Sequence, residues 1–266
     1  MYFFYFINTN IFNDIINYRF KNKIPSKEEL SSFATYMSLN KTVNKNNMFP
    51  VVMKEEKEEP LIIQKENPII YIYNTHDTEK YNSIFISDYS IIPDVKIASH
   101  ILKDHLNDLG INSYVEERSI KTYLNKHKLS YSGSYEASRT YLLDSKKKNN
   151  YEYYIDIHRD SAKYNKTLWK KDNKKYARIM FVLTTKHKNY KENKKFVNEL
   201  NNMINKKYTG LSRGIYVRND VIFNQDISDK AILIELGGVD NTLEEINNTL
   251  EVFSKIFSEF INEEKK

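Results

Sequence analysis

The chain has 266 residues, a formal charge of +6 and no cysteine. That length can bury the core of one large domain or two small ones, and aromatic residues at 14% are too frequent for a chain that is disordered throughout. The absence of cysteine excludes disulfide scaffolds, iron–sulfur clusters, thiol nucleophiles and cysteine-ligated zinc, so a transition metal would need histidine and carboxylate ligands.

Residues 1–20 (MYFFYFINTNIFNDIINYRF) are apolar and aromatic, but asparagine and aspartate interrupt them. A membrane-spanning helix needs about 20 mainly apolar residues, and this segment also has no basic leader or small-residue cleavage site. It fits an interfacial helix or the degraded or mis-started end of a longer membrane anchor, and it fits equally an amphipathic helix that packs on protein. Prolines and a charge run over 21–67 indicate a linker with one short helix at 26–39. We therefore expect an N-terminal segment and linker over 1–67 and a folded domain over 68–266.

From Pro68 onward, short apolar runs alternate with amphipathic segments. The apolar runs predict strands at 69–74, 111–117, 151–158, 177–185, 214–218 and 231–238. The amphipathic segments predict helices at 93–110, 135–148, 190–208 and 242–264, the last one opened by a capping box of Thr242 and Glu245. Alternating strands and helices predict an α/β domain with a mostly parallel central sheet flanked by helices.

Residues that bind metals or transfer protons follow or end three of the predicted strands. The first strand leads into NTH76DTE79, the third ends in IDIH158RD160, and the last carries ILIE235LGG. Sites in open α/β sheets form at the carboxyl ends of strands, so these side chains are expected to converge. A single histidine at a strand end is more often a capped surface residue, but a carboxylate such as Glu235 within an apolar strand is costly to bury without a partner. Together the three positions favour a catalytic zinc site, with three ligands, one open position and a separate carboxylate for protons.

Several separate stretches of this domain resemble the stage II sporulation protein P family. They are YIYNTHDTEKY (71–81), SYEASRT (134–140), YIDIHRDS (154–161), YARIMFVLTTKHKNYKENKKF (176–196), KYTGLSRGIYVR (207–218), FNQDIS (223–228) and AILIELGGVDNTLEE (231–245), and they occur in consistent order over residues 68–262. That family consists of bacterial zinc-dependent N-acetylmuramoyl-L-alanine amidases that also have endopeptidase activity and thin peptidoglycan during forespore engulfment. The resemblance implies that 68–266 is a catalytic domain of the phosphorylase/hydrolase-like amidase fold.

The resemblance also implies roles for individual residues. It gives His76 and His158 as zinc ligands and Glu235 as the catalytic carboxylate. Glu79 is the preferred third ligand, from the family's H-x-x-E-x-Y pattern, with Asp88 and Asp94 as alternatives. The family often has a second histidine two residues before the first ligand, where this chain has Asn74, and we expect no loss of metal binding from that difference.

Other polar residues near these motifs are candidates for contacts with substrate or with the ligands. Arg139 and Arg159 have guanidinium groups suited to a carboxylate of the stem peptide, and Asn224 lies in a polar loop that would line the groove. Arg139 is equally expected to pair with an acidic residue of its own chain. Asp156 and Asp160, which flank His158, are expected to orient the ligand histidines.

The resemblance implies peptidoglycan as substrate, stage II sporulation proteins D and M as partners, and an extracytoplasmic place at the cell wall. Two alternatives stay open: a wall-binding module of the same fold that has lost activity, and an autolysin of general cell separation. The basic clusters at 146–148, 170–175 and 186–195 lie outside any nucleic-acid motif, so we read them as solvated surface on loops and helix faces and expect no nucleic acid partner.

Overall fold

A computed structural model of the protein describes residues 68–82, 84–86 and 89–264. The predictions for residues 1–67, including the helix at 26–39, and the alternative ligand Asp88 lie outside these residues. Within the described part of the chain, no helix is long and apolar enough to cross a membrane.

The strands of the described chain are short and mostly apolar. In chain order they are β1 (Ile70–Tyr73), β2 (Ile84–Ile86), β3 (Tyr89–Ile91), β4 (Ser113–Val115), β5 (Tyr153–Asp160), β6 (Leu168–Lys171), β7 (Lys174–Ala177), β8 (Ile179–Thr184), β9 (Ser212–Arg218) and β10 (Ala231–Gly238). The helices are α1 (Val95–Asp108), α2 (Ile120–His127), α3 (Ser134–Lys146), α4 (Tyr164–Thr167), α5 (Tyr190–Lys207) and α6 (Leu243–Glu264), with 3₁₀ turns at Tyr131–Gly133 and Gln225–Ile227.

Six of these strands form one sheet in the order β4-β1-β5-β10-β8-β9. Strands β4, β1, β5 and β10 are parallel to one another, whereas β8 is antiparallel to β10 and β9 is parallel to β8. The central strands are continuous apolar runs because both faces of a parallel sheet are covered. All four residues of β1 are buried, for example. The predicted mostly parallel α/β architecture is confirmed.

Side-chain caps begin two of the helices, and the one at α6 is the predicted capping box. The Asp94 side chain accepts a hydrogen bond from the N–H of Ile97 at 3.1 Å and begins α1. At the start of α6, Glu245 N–H donates to Thr242 Oγ1 (3.3 Å) and Thr242 N–H donates to Glu245 Oε2 (3.1 Å), which is the reciprocal capping box. Helix α6 then buries a row of aromatic rings, including Phe257, whose centroid lies 5.2 Å from that of Tyr153 in the central sheet.

Several elements of the described chain were not predicted from the sequence. They are the helices α2 and α4, the two 3₁₀ turns, and the hairpins β2–β3 and β6–β7. The second hairpin turns through Asp172 and Asn173, whose φ angles are +49° and +61°. Two successive positive φ angles match the twist of a two-residue hairpin, and Asp and Asn tolerate that region. The basic cluster at 170–175 therefore lies on a hairpin and not on a loop.

Candidate active site

The carboxyl ends of β1, β5 and β10 meet at one edge of the sheet, because these three strands are parallel neighbours. Glu235 pairs with His158 across the β10–β5 ladder, so the two side chains lie on the same face. His76 lies in the turn after β1, and its ring is 5.1 Å from that of His158 at an angle of 88°. The convergence that the strand ends predict is present in the structure.

Glu79 completes this group from the turn that follows β1. Its N–H donates to the carbonyl of His76 at 3.0 Å, which closes the turn. Its Oε2 accepts a hydrogen bond from the N–H of Arg159 at 2.9 Å and lies 3.8 Å from Nδ1 of His158. That separation is too long for a hydrogen bond, but both atoms could contact one zinc ion at distances of about 2.0–2.2 Å.

Three polar atoms of the group are buried with no hydrogen-bond partner among the described residues: His76 Nδ1, His158 Nε2 and Glu235 Oε2. Nε2 of His158 is 3.1 Å from Asp156, whereas the unpaired atoms of His76 and Glu235 have no such neighbour in the described chain. Buried polar atoms are normally satisfied, so these two atoms indicate a ligand or substrate group. As the side chains stand, no three His, Asp or Glu groups within 68–82, 84–86 and 89–264 lie close enough together to hold a metal ion. The donor chemistry and the spacing of His158 and Glu79 fit zinc, whereas the full ligand set is not assembled.

Burial and neighbouring charges shift the pKa values of the two histidines in opposite directions. Burial, aided by the positive charge on His158, lowers the pKa of His76 to about 4. Burial also disfavours charge on His158, but the Asp156, Glu235 and Glu79 carboxylates outweigh it and raise the pKa of His158 to about 9. Burial raises the pKa of Glu235 to about 7 and also raises the pKa of Glu79. Three carboxylates around one imidazole make this edge of the sheet favourable for a cation.

Asp156 lies behind His158 and is completely buried. Its Oδ2 is 3.1 Å from His158 Nε2, and this contact contributes to the raised pKa of His158. The same Oδ2 accepts a hydrogen bond from Thr75 Oγ1 at 2.6 Å, and Thr75 Oγ1 is 2.9 Å from Ser138 Oγ in α3. Asp160 has a different environment, because it accepts hydrogen bonds from the Ala162 N–H and from Arg213. Of the two aspartates expected to orient the ligands, only Asp156 contacts His158.

Asn74 connects elements and does not point into the site. Its Nδ2 donates to the carbonyl of Ile157 at 2.8 Å and of Val95 at 3.3 Å, and its Oδ1 accepts a hydrogen bond from Ser99. The alternative ligand Asp94 is the N-cap of α1 and is 8% exposed. The structure thus gives both residues local roles away from the histidines.

The predicted substrate-binding residues differ in how free they are to bind. Arg139 forms a two-pronged ion pair with Asp226, at 2.8 and 2.7 Å, and contacts Asn224 at 3.4 Å. The side chain of Asn224 is buried and donates to Ser138 Oγ at 3.0 Å. Arg159 is nearer to the site, and its Nε donates to the carbonyl of Lys80 at 2.9 Å. Arg139 and Asn224 thus tie the 223–228 loop to α3.

Two tyrosines beside the histidines were missed by the sequence reasoning. Tyr131 stacks on His76 at 4.6 Å and 16°, and its side chain is 56% exposed. Tyr135 stacks parallel to His158 at 6.4 Å and meets the His76 ring edge-on at 5.6 Å. Tyr135 lies within the SYEASRT stretch, so its place in that motif was a signal that could have identified it.

Comparison with known proteins gives relatives of this chain. A family model described as stage II sporulation protein P matches residues 7–258. The stage II sporulation protein P of Bacillus subtilis (strain 168) is 36% identical over 217 residues, which are 77% of this chain and 54% of that protein, so the chain spans about half the length of this relative.

Solved structures that resemble the protein include two amidases. The N-acetylmuramoyl-L-alanine amidase AmiC2 of Nostoc punctiforme has a TM-score of 0.43 and 10% identity, and the match covers 73% of this chain and 97% of that one. The CwlD amidase from Clostridioides difficile, solved in complex with the GerS lipoprotein, has a TM-score of 0.43 and 15% identity, covering 71% of this chain and 98% of that one.

Proposed function

This chain belongs to the stage II sporulation protein P family, and we propose that it is a zinc-dependent hydrolase of peptidoglycan that acts during sporulation. The bond to be cleaved is the amide between N-acetylmuramic acid and L-alanine of the stem peptide. Endopeptidase cleavage within the stem would use the same residues. The substrate places the protein outside the cytoplasm, at the cell wall, with stage II sporulation proteins D and M as proposed partners.

The observation that carries this proposal is the pairing of Glu235 with His158. The two residues are register partners on adjacent strands, and Oε2 of Glu235 is buried without a partner among the described residues. A carboxylate held unpaired beside a candidate ligand has the position that a general base needs. With a pKa raised to about 7, it can both accept and return a proton near neutral pH.

His76, Glu79 and His158 would hold zinc, which supplies a Lewis acid that activates water and polarises the amide carbonyl when bound. Glu235 would accept the proton of the attacking water at Oε2 and donate it to the nitrogen of the leaving L-alanine. The C–N bond breaks as the carbonyl carbon gains an oxygen from water. Asp156 would keep the His158 ring in place, and the rings of Tyr131 and Tyr135 would restrict the access of bulk water to the histidines.

Digestion of purified walls tests this function. The zinc-loaded protein is expected to release stem peptides with a free L-alanine amino terminus, detected by mass spectrometry. Glu235→Ala should abolish release while the bound zinc, measured by elemental analysis, is kept. Glu152→Gln is the matched control, because Glu152 is an exposed carboxylate at the opposite end of β5. Normal digestion by Glu235→Ala, or no zinc in the purified protein, would contradict the proposal.

A non-catalytic wall-binding module is the second candidate, favoured by the finding that no three potential ligands among the described residues are already assembled around a metal. It predicts that the protein sediments with walls and releases no peptide at any zinc concentration. The digestion assay and a sedimentation assay on the same samples therefore separate the two functions.

A further inference from the structure

Two arginines begin strands at the same sheet edge where β5 and β10 end. Strand β8 is antiparallel to β10, so Arg178, which precedes β8, lies beside the end of β10, and its carbonyl accepts a hydrogen bond from the Gly237 N–H at 2.8 Å. Strand β9 is parallel to β8, which places Arg213 at the same edge. Neither residue is part of the zinc or proton chemistry described above.

The guanidinium of Arg213 is only partly used by the protein. Its Nη1 donates to Oδ2 of Asp160 at 2.5 Å, and among the described residues the structure gives no partner to Nε or Nη2. The side chain is 17% exposed, so these remaining donors can reach a ligand. Asp160 ends β5 two residues after His158, so its ion pair with Arg213 places that guanidinium at the same strand end as the candidate ligand His158.

Arg178 adds positive charge without a carboxylate to balance it. Its Nε and Nη2 donate to the carbonyls of Gly210 (2.9 Å) and Ser212 (3.2 Å), and its Nη1 is 3.4 Å from the carbonyl of Lys166. Burial and the neighbouring charge of Arg213 lower the pKa of Arg178. Two guanidinium groups therefore lie near each other with only one carboxylate, Asp160, paired to Arg213, and this part of the edge favours an anion.

Strand β8 lies between β10, which carries Glu235, and β9, which carries Arg213. Met180 pairs with Glu235 across β8 and β10 and is half-buried, which places it next to the base on the same face. Although Arg213 is on the outer strand β9, its side chain reaches Asp160 at the end of β5, so the guanidinium lies at the edge where β5 and β10 end.

We infer that Arg213, supported by the charge of Arg178, forms a subsite for a carboxylate of the peptide whose amide lies at Glu235. A guanidinium with two free donors suits a carboxylate, which it can bind with two parallel hydrogen bonds. The inference rests on the proposed function for the identity of the ligand, a short acidic peptide attached to a sugar acid. The inference places the stem peptide of the ligand near the starts of β8 and β9.

The test compares two soluble probes in the full chain carrying Glu235→Gln, which prevents turnover. The probes are N-acetylmuramoyl-L-alanyl-D-glutamate with a free α-carboxylate and the same compound with that carboxylate amidated. Calorimetry should give about tenfold tighter binding of the free acid, the magnitude expected for a hydrogen-bonded charge. Adding Arg213→Gln should remove this preference, while Arg213→Lys should keep part of it. Arg218→Gln is the matched control, because Arg218 is at the other end of β9 and pairs with Asp220.

The double change Arg213→Gln with Asp160→Asn removes both partners of the ion pair. If this double variant also binds the two probes equally, the lost preference for the free acid cannot come from repulsion by an unpaired Asp160. Equal binding of the two probes to the Glu235→Gln chain, no binding of either, or an unchanged preference after Arg213→Gln would overturn the subsite. The proposed hydrolysis fails separately, if the unmodified protein releases no stem peptide from walls. If the preference for the free acid persists in that case, the carboxylate subsite is supported although the protein does not hydrolyse walls.

Discussion

The hydroxyl of Thr75 lies 2.6 Å from Oδ2 of Asp156, and the backbone N–H of Thr75 donates to Oδ1 of the same carboxylate at 2.9 Å. Both residues are completely buried. Thr75 immediately precedes His76, whereas Asp156 is in contact with His158. One buried pair therefore fixes the relative position of the two candidate histidine ligands.

Replacing Thr75 by valine should weaken zinc binding about 10- to 100-fold, the usual effect of removing a group that holds a ligand-orienting residue. The change keeps the shape of the side chain and leaves Asp156 with one hydrogen bond fewer, so a loss of about 1–3 kcal/mol in the free energy of unfolding is also expected. Zinc affinity would be measured by competition with a chelator. Thr75→Ser, which keeps the hydroxyl, should restore most of the affinity. Equal zinc affinity in the valine and serine variants would show that the hydroxyl has no part in positioning the ligands.

Asn74 tests whether the residue two positions before His76 contributes to the metal site. Its side chain joins β1 to α1 and β5 through buried hydrogen bonds, so Asn74→Ala should lower the free energy of unfolding by about 1–3 kcal/mol. The zinc content of the folded protein should stay the same. Chemical denaturation and elemental analysis on one preparation give both values. Asn248→Ala is the control, because Asn248 is a half-buried asparagine whose hydrogen bond to the Lys175 carbonyl is exposed to solvent and is expected to contribute less than about 0.5 kcal/mol. Loss of zinc from folded Asn74→Ala would show that Asn74 serves the metal site.

Much of the fold could be predicted because its strands are buried on both faces and its helices are amphipathic. The runs IYIY and AILIELGG are apolar for that reason, and the Thr242–Glu245 capping box is a local signal. The β6–β7 hairpin was missed because its four exposed strand positions, two in each strand, are consecutive lysines that give no apolar alternation. The only local signal was Asp172–Asn173, a turn pair that is weaker than Asn-Gly.

The residues of the candidate site could be predicted from the sequence where they lie at the carboxyl ends of strands. His158 and Glu235 lie on strands that are neighbours in the sheet, so one rule about strand ends brings them together. Arg213 could not be placed in this way. It begins a strand, and only the antiparallel direction of β8 relative to β10 brings it to the same edge. That direction depends on tertiary packing, which periodicity does not record.

Gly237 should be intolerant of a side chain for two reasons that can be separated. Its φ is +62°, and a Cβ there would lie 2.8 Å from Asn241 Oδ1 and 2.9 Å from the Cβ of Ala177. Gly237→Ala should therefore cost more than the roughly 1–2 kcal/mol of a left-handed backbone alone. Gly110→Ala is the matched control, because Gly110 has φ +76° and nothing within 4 Å of the added atom. Urea denaturation measures the loss in the free energy of unfolding for both variants. The extra loss in Gly237→Ala is the cost of the steric clash, and equal losses in the two variants would show that the clash costs nothing.

Glu116 should make the stability of the domain depend on pH in the acid range. Burial alone would raise the pKa of Glu116, but hydrogen bonds from Arg118 and from the Tyr71 hydroxyl (2.7 Å) outweigh it and hold the pKa below its ordinary value of 4.5. The unfolded chain then binds a proton more readily than the folded one. The stabilisation from this carboxylate is therefore present above about pH 4.5 and is lost as pH falls through the lower pKa of the folded state.

Glu116→Gln should accordingly lower the free energy of unfolding by about 2 kcal/mol at pH 7, since it removes charged hydrogen bonds from a buried site. The difference from the unmodified protein should shrink steadily as the pH is lowered below about 4.5, because the unmodified protein loses the same stabilisation there. Urea denaturation at several pH values between 7 and 3 measures this difference. Glu259→Gln, which removes an exposed partner of Lys207, should show a small effect that is also reduced by salt. A difference for Glu116→Gln that grows on acidification would contradict the lowered pKa and with it the role assigned to Arg118.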